Sequence, residues 1–353
     1  MLPNIIDMLN PFTYDNIEQK FHLIKIVTVF LITLPFHTQA WSKNSLAEEG
    51  VFQLSDGIEL QYRKWAVEKP QLLVVNVHGF NDYSKSFTTL AKALVKHRQA
   101  VVYAYDQRGF GANSNPGIWP SEDRLVNDLR EIVTQLRANY PTLSLVVIGE
   151  SMGGAVLIRA STEAPRLPAD LIILQAPAIW GAEIMPWYQR MSLEWFNAIA
   201  PNLTFTGRGV QSLGIRPTDD PAVAEDLSQD PLVIKETRVS SLFGLTKLMS
   251  QALNHPIDFS APTLVLYGNN DKIIPPKAMC YWLSRLSLVS DEKINSLQFI
   301  IYANGWHMLT RQLEATTVIN DILAWLNSFQ SIGILSSAIR VKEAQDLVCK
   351  SSP

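Results

Sequence analysis

The sequence predicts an α/β protein with a mostly parallel central sheet, helices on both faces and a helical cap inserted late in the chain. Three observations predict it. From residue 51 onward, strand-like apolar runs alternate with helix-like pieces, the pattern of a parallel sheet covered on both sides. The alternation breaks between about residues 177 and 258, where there are helix-like pieces and no convincing strand. Of the 353 residues, 47% are hydrophobic and 18% charged, which gives ample core and excludes disorder, collagen and coiled coil.

The N-terminus is read first. Residues 26–42 carry no formal charge, and Lys20 and Lys25 precede them. The apolar run 26–36 has the length of a signal-peptide core, and Thr38 and Ala40 are the small residues expected before a cut after Ala40. The run is short for a membrane span, which needs ~20 apolar residues. The preceding segment is long for a signal peptide and contains Asp7, Asp15 and Glu18. An uncleaved anchor with its lysines inside is therefore one alternative, and an amphipathic helix packed on the body is another. Residues 1–40 are expected to be a signal peptide or membrane anchor. Membrane association would run through residues 21–42, and the body would be exported or membrane-anchored, with a cytoplasmic location second.

In the body, 51–54 and 58–62 flank Asp56-Gly57, a hairpin turn signal. Buried-strand runs follow at 72–77, 100–105, 143–148, 171–174, 263–267 and 297–302. Helix patterns lie near 84–97, after Pro120-Ser121, from Met152, and at about 308–326. Ser121 is the expected N-cap of the second helix, with Glu122 and Asp123 in its first turn. Leu125, Leu129, Ile132, Val133 and Leu136 recur there at helical spacing. The core thus divides into 41–176 and 259–330 around a cap at 177–258. Residues 331–353 form a C-terminal extension with no assigned function.

Charge and cysteine content narrow the function. Thirty Lys and Arg against 33 Asp and Glu give a net charge of −3 and no bulk reason to bind nucleic acid. No phosphate-binding loop follows a strand-like run, so nucleotide chemistry has no support. Cys280 and Cys349 are too few for a disulfide scaffold or zinc cluster. They are read as free thiols that an exported chain could oxidise.

The sharpest motif is Gly149-Glu150-Ser151-Met152-Gly153, which follows a strand and opens a helix. So tight a turn strains the serine backbone, admits only small residues at Gly149 and Gly153, and lifts the hydroxyl above the sheet. A serine needs a base, and the base needs an orienting group. Asp271 and His307 follow in that order, each shortly after a strand. The oxyanion donors would be the backbone N–H groups of Met152 and of Phe80, in Val77-His78-Gly79-Phe80. His78 competes with His307 as base but fits a loop-organising role better. Asn81 and Asp82 are read as ordinary turn residues, with bracing of this loop as the alternative. In Asp106-Gln-Arg-Gly-Phe-Gly111, Arg108 is expected in an ion pair within a scaffold turn.

Together these motifs, with Gly268-Asn-Asn-Asp271 and Gly305-Trp-His307, resemble the α/β-hydrolase superfamily over about residues 51–328. Within it they resemble the monoacylglycerol lipase / lysophospholipase group, which shares its domain with serine aminopeptidases. The resemblance implies the α/β-hydrolase fold, with Ser151 as nucleophile, Asp271 as acid and His307 as base. It also implies an acyl-enzyme formed without metal or cofactor. Phe80 after Gly79 departs from the family's glycine-rich oxyanion element: a backbone donor survives, and the shape of the acyl pocket is left open.

The cap points to substrate. Three of nine tryptophans fall at 180–195, alongside Met185 and Met191. Trp180, Met185, Trp187 and Met191 are read as residues that bury a hydrocarbon chain, at ~0.8 kcal/mol per CH₂. Packing within the cap itself is the competing account. The expected substrate is a single-chain lipid ester, a monoacylglycerol or lysophospholipid. One alternative is a serine peptidase or amidase, for which Glu183 and Glu194 are candidate amine-binding carboxylates. Another is a non-catalytic binding protein of the same fold, but such chains typically lose a member of the triad and this one keeps all three.

Overall fold

Ten strands and nine helices are found in a computed structural model that describes residues 47–206, 215–255, 258–259, 261–286, 288, 296–331 and 337–350. The strands are β1 (Glu48–Gln53), β2 (Glu59–Trp65), β3 (Leu72–Val77), β4 (Ala100–Tyr105), β5 (Ser144–Glu150), β6 (Leu171–Gln175), β7 (Thr204–Thr206), β8 (Glu236–Arg238), β9 (Thr263–Gly268) and β10 (Leu297–Tyr302). The helices are α1 (Thr88–Arg98), α2 (Glu122–Asn139), α3 (Met152–Thr162), α4 (Trp187–Ile199), α5 (Pro221–Gln229), α6 (Val239–Asn254), α7 (Pro276–Leu286), α8 (Ala315–Ser331) and α9 (Val341–Lys350). The main sheet runs β1-β2-β4-β3-β5-β6-β9-β10. β2 is antiparallel to both β1 and β4, and every other pairing is parallel.

The expected hairpin turns at Gly57, whose φ of +80° suits a residue without Cβ. Side chains alternate across the sheet. On β3, Leu73, Val75 and Val77 join the core cluster of one face, with residues of α2, α3, α6, α7 and α9. Leu72 and Val74 face the other cluster, with α1 and α8. Burial on both faces explains why the central strands read as unbroken apolar runs. Ser121 caps α2, its hydroxyl accepting the Arg124 N–H at 3.2 Å.

Three expectations are corrected. The cap does contain strands: β7 and β8 pair antiparallel over three residues each, too short to leave an alternating pattern. The last core helix starts later than expected, after a 3₁₀ turn at Leu309–Arg311. Cap residues engage that stretch, where the Leu313 N–H donates to Asp219 Oδ1 and the Thr218 hydroxyl to the Arg311 carbonyl. The cysteines are not free but form a Cys280–Cys349 disulfide, because α9 folds back on α7 and brings their Cα atoms to 5.1 Å. The C-terminal extension, which carried no assigned role, packs on the sheet: Ile339 and Phe299 of β10 exchange both backbone hydrogen bonds, at 2.8 and 2.9 Å. The expected signal or anchor at 1–40 lies outside the described residues. Among those, no helix is long and apolar enough to cross a membrane.

Candidate active site

Parallel strands end on the same side, so the loops after β3, β5, β9 and β10 share one rim of the sheet. Ser151 sits between β5 and α3 with φ 53° and ψ −116°, a conformation that costs a non-glycine residue about 1–3 kcal/mol. Close packing enforces it. A Cβ on Gly153 would lie 2.1 Å from the Val77 carbonyl oxygen, and one on Gly149 would lie 2.5 Å from the Gly153 carbonyl oxygen. The Ser151 N–H donates to Gln175 O, and its carbonyl accepts from Ala155 N and Ala178 N, so the backbone is pinned on both sides.

Asp271 follows β9 and is buried. Its Oδ1 accepts the N–H groups of Ile273 and Ile274 at 2.8 and 2.9 Å, and its Oδ2 faces His307 Nδ1 at 2.7 Å. A carboxylate only accepts, so the imidazole proton lies on Nδ1 and Nε2 keeps its lone pair. Burial alone would depress the His307 pKa. The charge and hydrogen bond of Asp271, helped by Glu150, outweigh burial and an opposing Arg311 and hold it above the ordinary value.

The two expected oxyanion donors are available. Among the described residues, neither the Phe80 nor the Met152 N–H donates to an acceptor. Gly79 lets its loop close on the serine, since a Cβ there would stand 3.3 Å from Ser151 Cβ. The Phe80 ring is drawn into edge and tilted contacts with Phe110 and Trp119, at centroid distances of 5.7 and 6.2 Å. His78 organises the loop: its Nε2 accepts the Gln107 N–H at 2.8 Å, and its Nδ1 faces the Gly79 carbonyl at 2.7 Å. Burial pushes its pKa down, so it stays neutral. Arg108 pairs with Asp128 and Asp56 in a scaffold turn.

Two expectations change here, and one residue is added. Asn81 and Asp82 brace the loop after β3 rather than serving as plain turn residues. Asn81 donates to Thr237 Oγ1 in the cap at 2.6 Å, and Asp82 pairs with Arg311 at 2.7 Å. Arg311, absent from the sequence reading, also donates to Glu150 at 3.1 and 3.2 Å. The cap residues divide. Trp180 and Met185 pack half-buried against the core, whereas Trp187 and Met191 are 68% and 56% exposed. Helix α4 has no buried residue, and Trp187, Tyr188, Met191, Trp195 and Ile199 along it are exposed.

An eight-stranded sheet of this order, with a serine on a strained strand-to-helix turn, defines an α/β-hydrolase. The family model described as "Serine aminopeptidase, S33" matches residues 68–314, and the chain belongs to this family. Its relatives are of the monoacylglycerol lipase type. The chain is 25% identical over 279 residues to a monoglyceride lipase of Homo sapiens, covering 77% of this chain and 88% of that protein. It is 24% identical over 291 residues to a monoacylglycerol lipase of Mycolicibacterium smegmatis, covering 81% and 99%. A soluble variant of monoglyceride lipase from Saccharomyces cerevisiae, solved with a substrate analog, shares the fold. Its TM-score is 0.64 at 21% identity, covering 80% of this chain and 96% of that one. The chain is a carboxylic-ester hydrolase.

Proposed function

We propose that the chain hydrolyses the ester of a single-chain lipid, a monoacylglycerol or lysophospholipid, through an acyl-enzyme on Ser151. The observation that carries this is the 2.7 Å contact between His307 Nδ1 and Asp271, on the rim that holds the strained Ser151 and two free amide donors. His307 Nε2 takes the Ser151 proton as Oγ attacks the ester carbonyl. The Phe80 and Met152 N–H groups hold the developing oxyanion. His307 then protonates the departing alcohol and afterwards draws a proton from the water that releases the fatty acid.

Two observations favour a lipid over a peptide. The cap presents an apolar surface, with Trp187, Met191, Trp195, Ile199 and Phe205 each exposed, as suits an enzyme whose substrate resides in an aggregate. Glu183 and Glu194 are both exposed: the first accepts from Asn254 and the second lies 3.9 Å from Arg190. Neither is a buried carboxylate awaiting an amine.

A fluorophosphonate probe should label Ser151 in the wild type and leave Ser151→Ala unlabelled. Long-chain monoacylglycerols and lysophospholipids should give higher kcat/KM than short p-nitrophenyl esters or aminoacyl amides. Folded protein that resists the probe would defeat the mechanism, and preference for the amides would defeat the substrate class.

The exported or membrane-anchored location also belongs to this reading. It rests on residues 26–42 and on the Cys280–Cys349 disulfide, a bond that persists in oxidising compartments. Protein isolated from its host under thiol trapping should carry this bond intact. With a sequence separation of 69, the loop-entropy account gives it about 4 kcal/mol. Reduction should then lower Tm by roughly 5–10 °C in calorimetry. Two alkylatable thiols in native protein would remove the argument for export.

A further inference from the structure

Three loops that carry the proposed machinery arise from three different strands. The loop after β3 presents the Phe80 N–H, the turn after β5 presents Ser151, and the loop after β10 presents His307. Each also contributes one charged side chain to a single buried cluster. Asp82 lies two residues beyond Phe80, Glu150 immediately precedes Ser151, and Arg311 lies four residues beyond His307. One nitrogen, Arg311 Nη2, stands 2.7 Å from Asp82 Oδ2 and 3.1 and 3.2 Å from the two Glu150 oxygens. The side chains of Asp82 and Glu150 are 7% and 3% exposed, and that of Arg311 is 11%. The remaining Asp82 oxygen accepts the Tyr83 N–H at 2.8 Å, so the carboxylate is tied to its own loop as well.

We propose that Arg311 is a positioning residue of the active site, holding the oxyanion loop, the serine turn and the histidine loop in one fixed arrangement through Asp82 and Glu150. The inference rests on the ester-hydrolase mechanism proposed above and adds to it the group that sets its geometry. Stability alone is a poor account of the cluster. A buried ionic cluster is often no more stable than apolar residues of the same volume, whereas removing one member is costly. What this one supplies is a tie between segments far apart in sequence, made of charge-assisted hydrogen bonds to Glu150 and an ion pair to Asp82. Its range of action is short, because misplacing a reacting group by about 1 Å can cost a hundredfold in rate.

The cluster is also electrically lopsided. Two carboxylates share one guanidinium, which leaves one formal negative charge in excess. The charges that act on the His307 imidazole are those of Asp271, in contact with it, and of Glu150 and Arg311. Glu150 favours the imidazolium that forms when the serine gives up its proton, and Arg311 opposes it. Neutralising Glu150 therefore lowers the pKa of His307, and activity on the acid side is retained to lower pH.

The test is kinetic. Glu150→Gln preserves shape and one acceptor for Arg311. It should fold with near-native Tm, lose about tenfold to a hundredfold in kcat with little change in KM, and move the acid limb of kcat/KM to lower pH. Arg311→Met leaves two carboxylates unpaired and should be the less stable protein, while Arg311→Lys should recover part of the lost kcat. If Arg311→Met does not fold, Glu150→Gln alone decides. A folded Glu150→Gln enzyme with wild-type kcat and an unmoved acid limb would overturn the proposal. Fluorophosphonate labelling of the wild type keeps the two questions separate. Failure to label indicts the mechanism, whereas normal labelling with an indifferent Glu150→Gln indicts only the positioning role.

Discussion

Asp271→Asn should lower kcat/KM by about 10⁴-fold while leaving the fold intact. The local hydrogen bonds dictate the outcome. Oδ1 faces two N–H donors, from Ile273 and Ile274. An asparagine must place its carbonyl oxygen there, because turning its NH₂ toward two N–H groups would leave all three donors without an acceptor. The NH₂ then faces His307 Nδ1, where the native carboxylate oxygen stood at 2.7 Å. It donates to that nitrogen and moves the imidazole proton to Nε2, the atom that must accept the serine proton. The base is present, correctly placed and in the wrong tautomer. The same substitution removes the negative charge that offsets burial of the ring, so the His307 pKa should fall below its ordinary value. Steady-state kinetics from about pH 5 to 9 would check both statements. A variant keeping a tenth or more of the native rate would show that Asp271 is not the group orienting the base.

What could be read before folding follows from how far each signal reaches along the chain. The central strands were legible because burial on both faces is written locally, as in Leu72-Leu-Val-Val-Asn-Val77. The turn at Ser151 was legible because its steric demands fall on adjacent residues, Gly149 and Gly153. Asp271 and His307 could be assigned because strand order alone carries their loops to the same rim. Arg311 could not. Its partners lie 229 and 161 positions earlier, and an arginine beyond a histidine has no local mark that separates a buried clamp from a solvated side chain. The orientation of helix α4 was hidden for a related reason. Its periodicity defines an apolar stripe, but which way the stripe faces depends on what α6 and the core leave uncovered. The disulfide required knowing that α9 returns to α7, a contact set by the end of the chain rather than by any motif around either cysteine.

The hydrogen bonds between the cap and the loops after β3 and β10 bear on how the cap could move. Asn81 has φ 63°, accepts the Ile234 N–H at 3.0 Å and donates to Thr237, so the loop after β3 is bonded to the cap directly. On the opposite side, the Met308 N–H donates to Pro217 O at 2.8 Å, one residue past His307. A rigid swing of the whole cap would disturb both loops. Asp226 and Asp230 are tied to Lys85, and Asp230 also to Tyr83, so a cap movement that keeps these contacts leaves 217–219 and 226–237 in place and falls on earlier parts of the cap, such as α4.

Gly153→Ala should be the most damaging single-methyl change in the protein. The added Cβ would stand 2.1 Å from Val77 O, 2.6 Å from Val77 C and 2.7 Å from His78 O. All three are backbone atoms, so no side chain can rotate away. Val77 ends β3, which is paired on both sides by β4 and β5 and fully buried. The relief left is to push the first turn of α3 off the sheet, against the packing of Met152, Ala155 and Val156 in the core. Losses above about 4 kcal/mol can arise from overpacking of this kind, and in a chain of this size they correspond to a fall in Tm of about 5 °C or more, or to failure to fold. Any protein that does fold should also be a poor enzyme. Moving α3 carries the Met152 N–H away from the Phe80 N–H, and losing one oxyanion donor costs about 10²–10³-fold in kcat. Thermal melts followed by circular dichroism, with kinetics on the surviving fraction, would measure both effects. A Gly153→Ala enzyme with native Tm and native rate would mean that α3 does not approach β3 as closely as the strained serine requires.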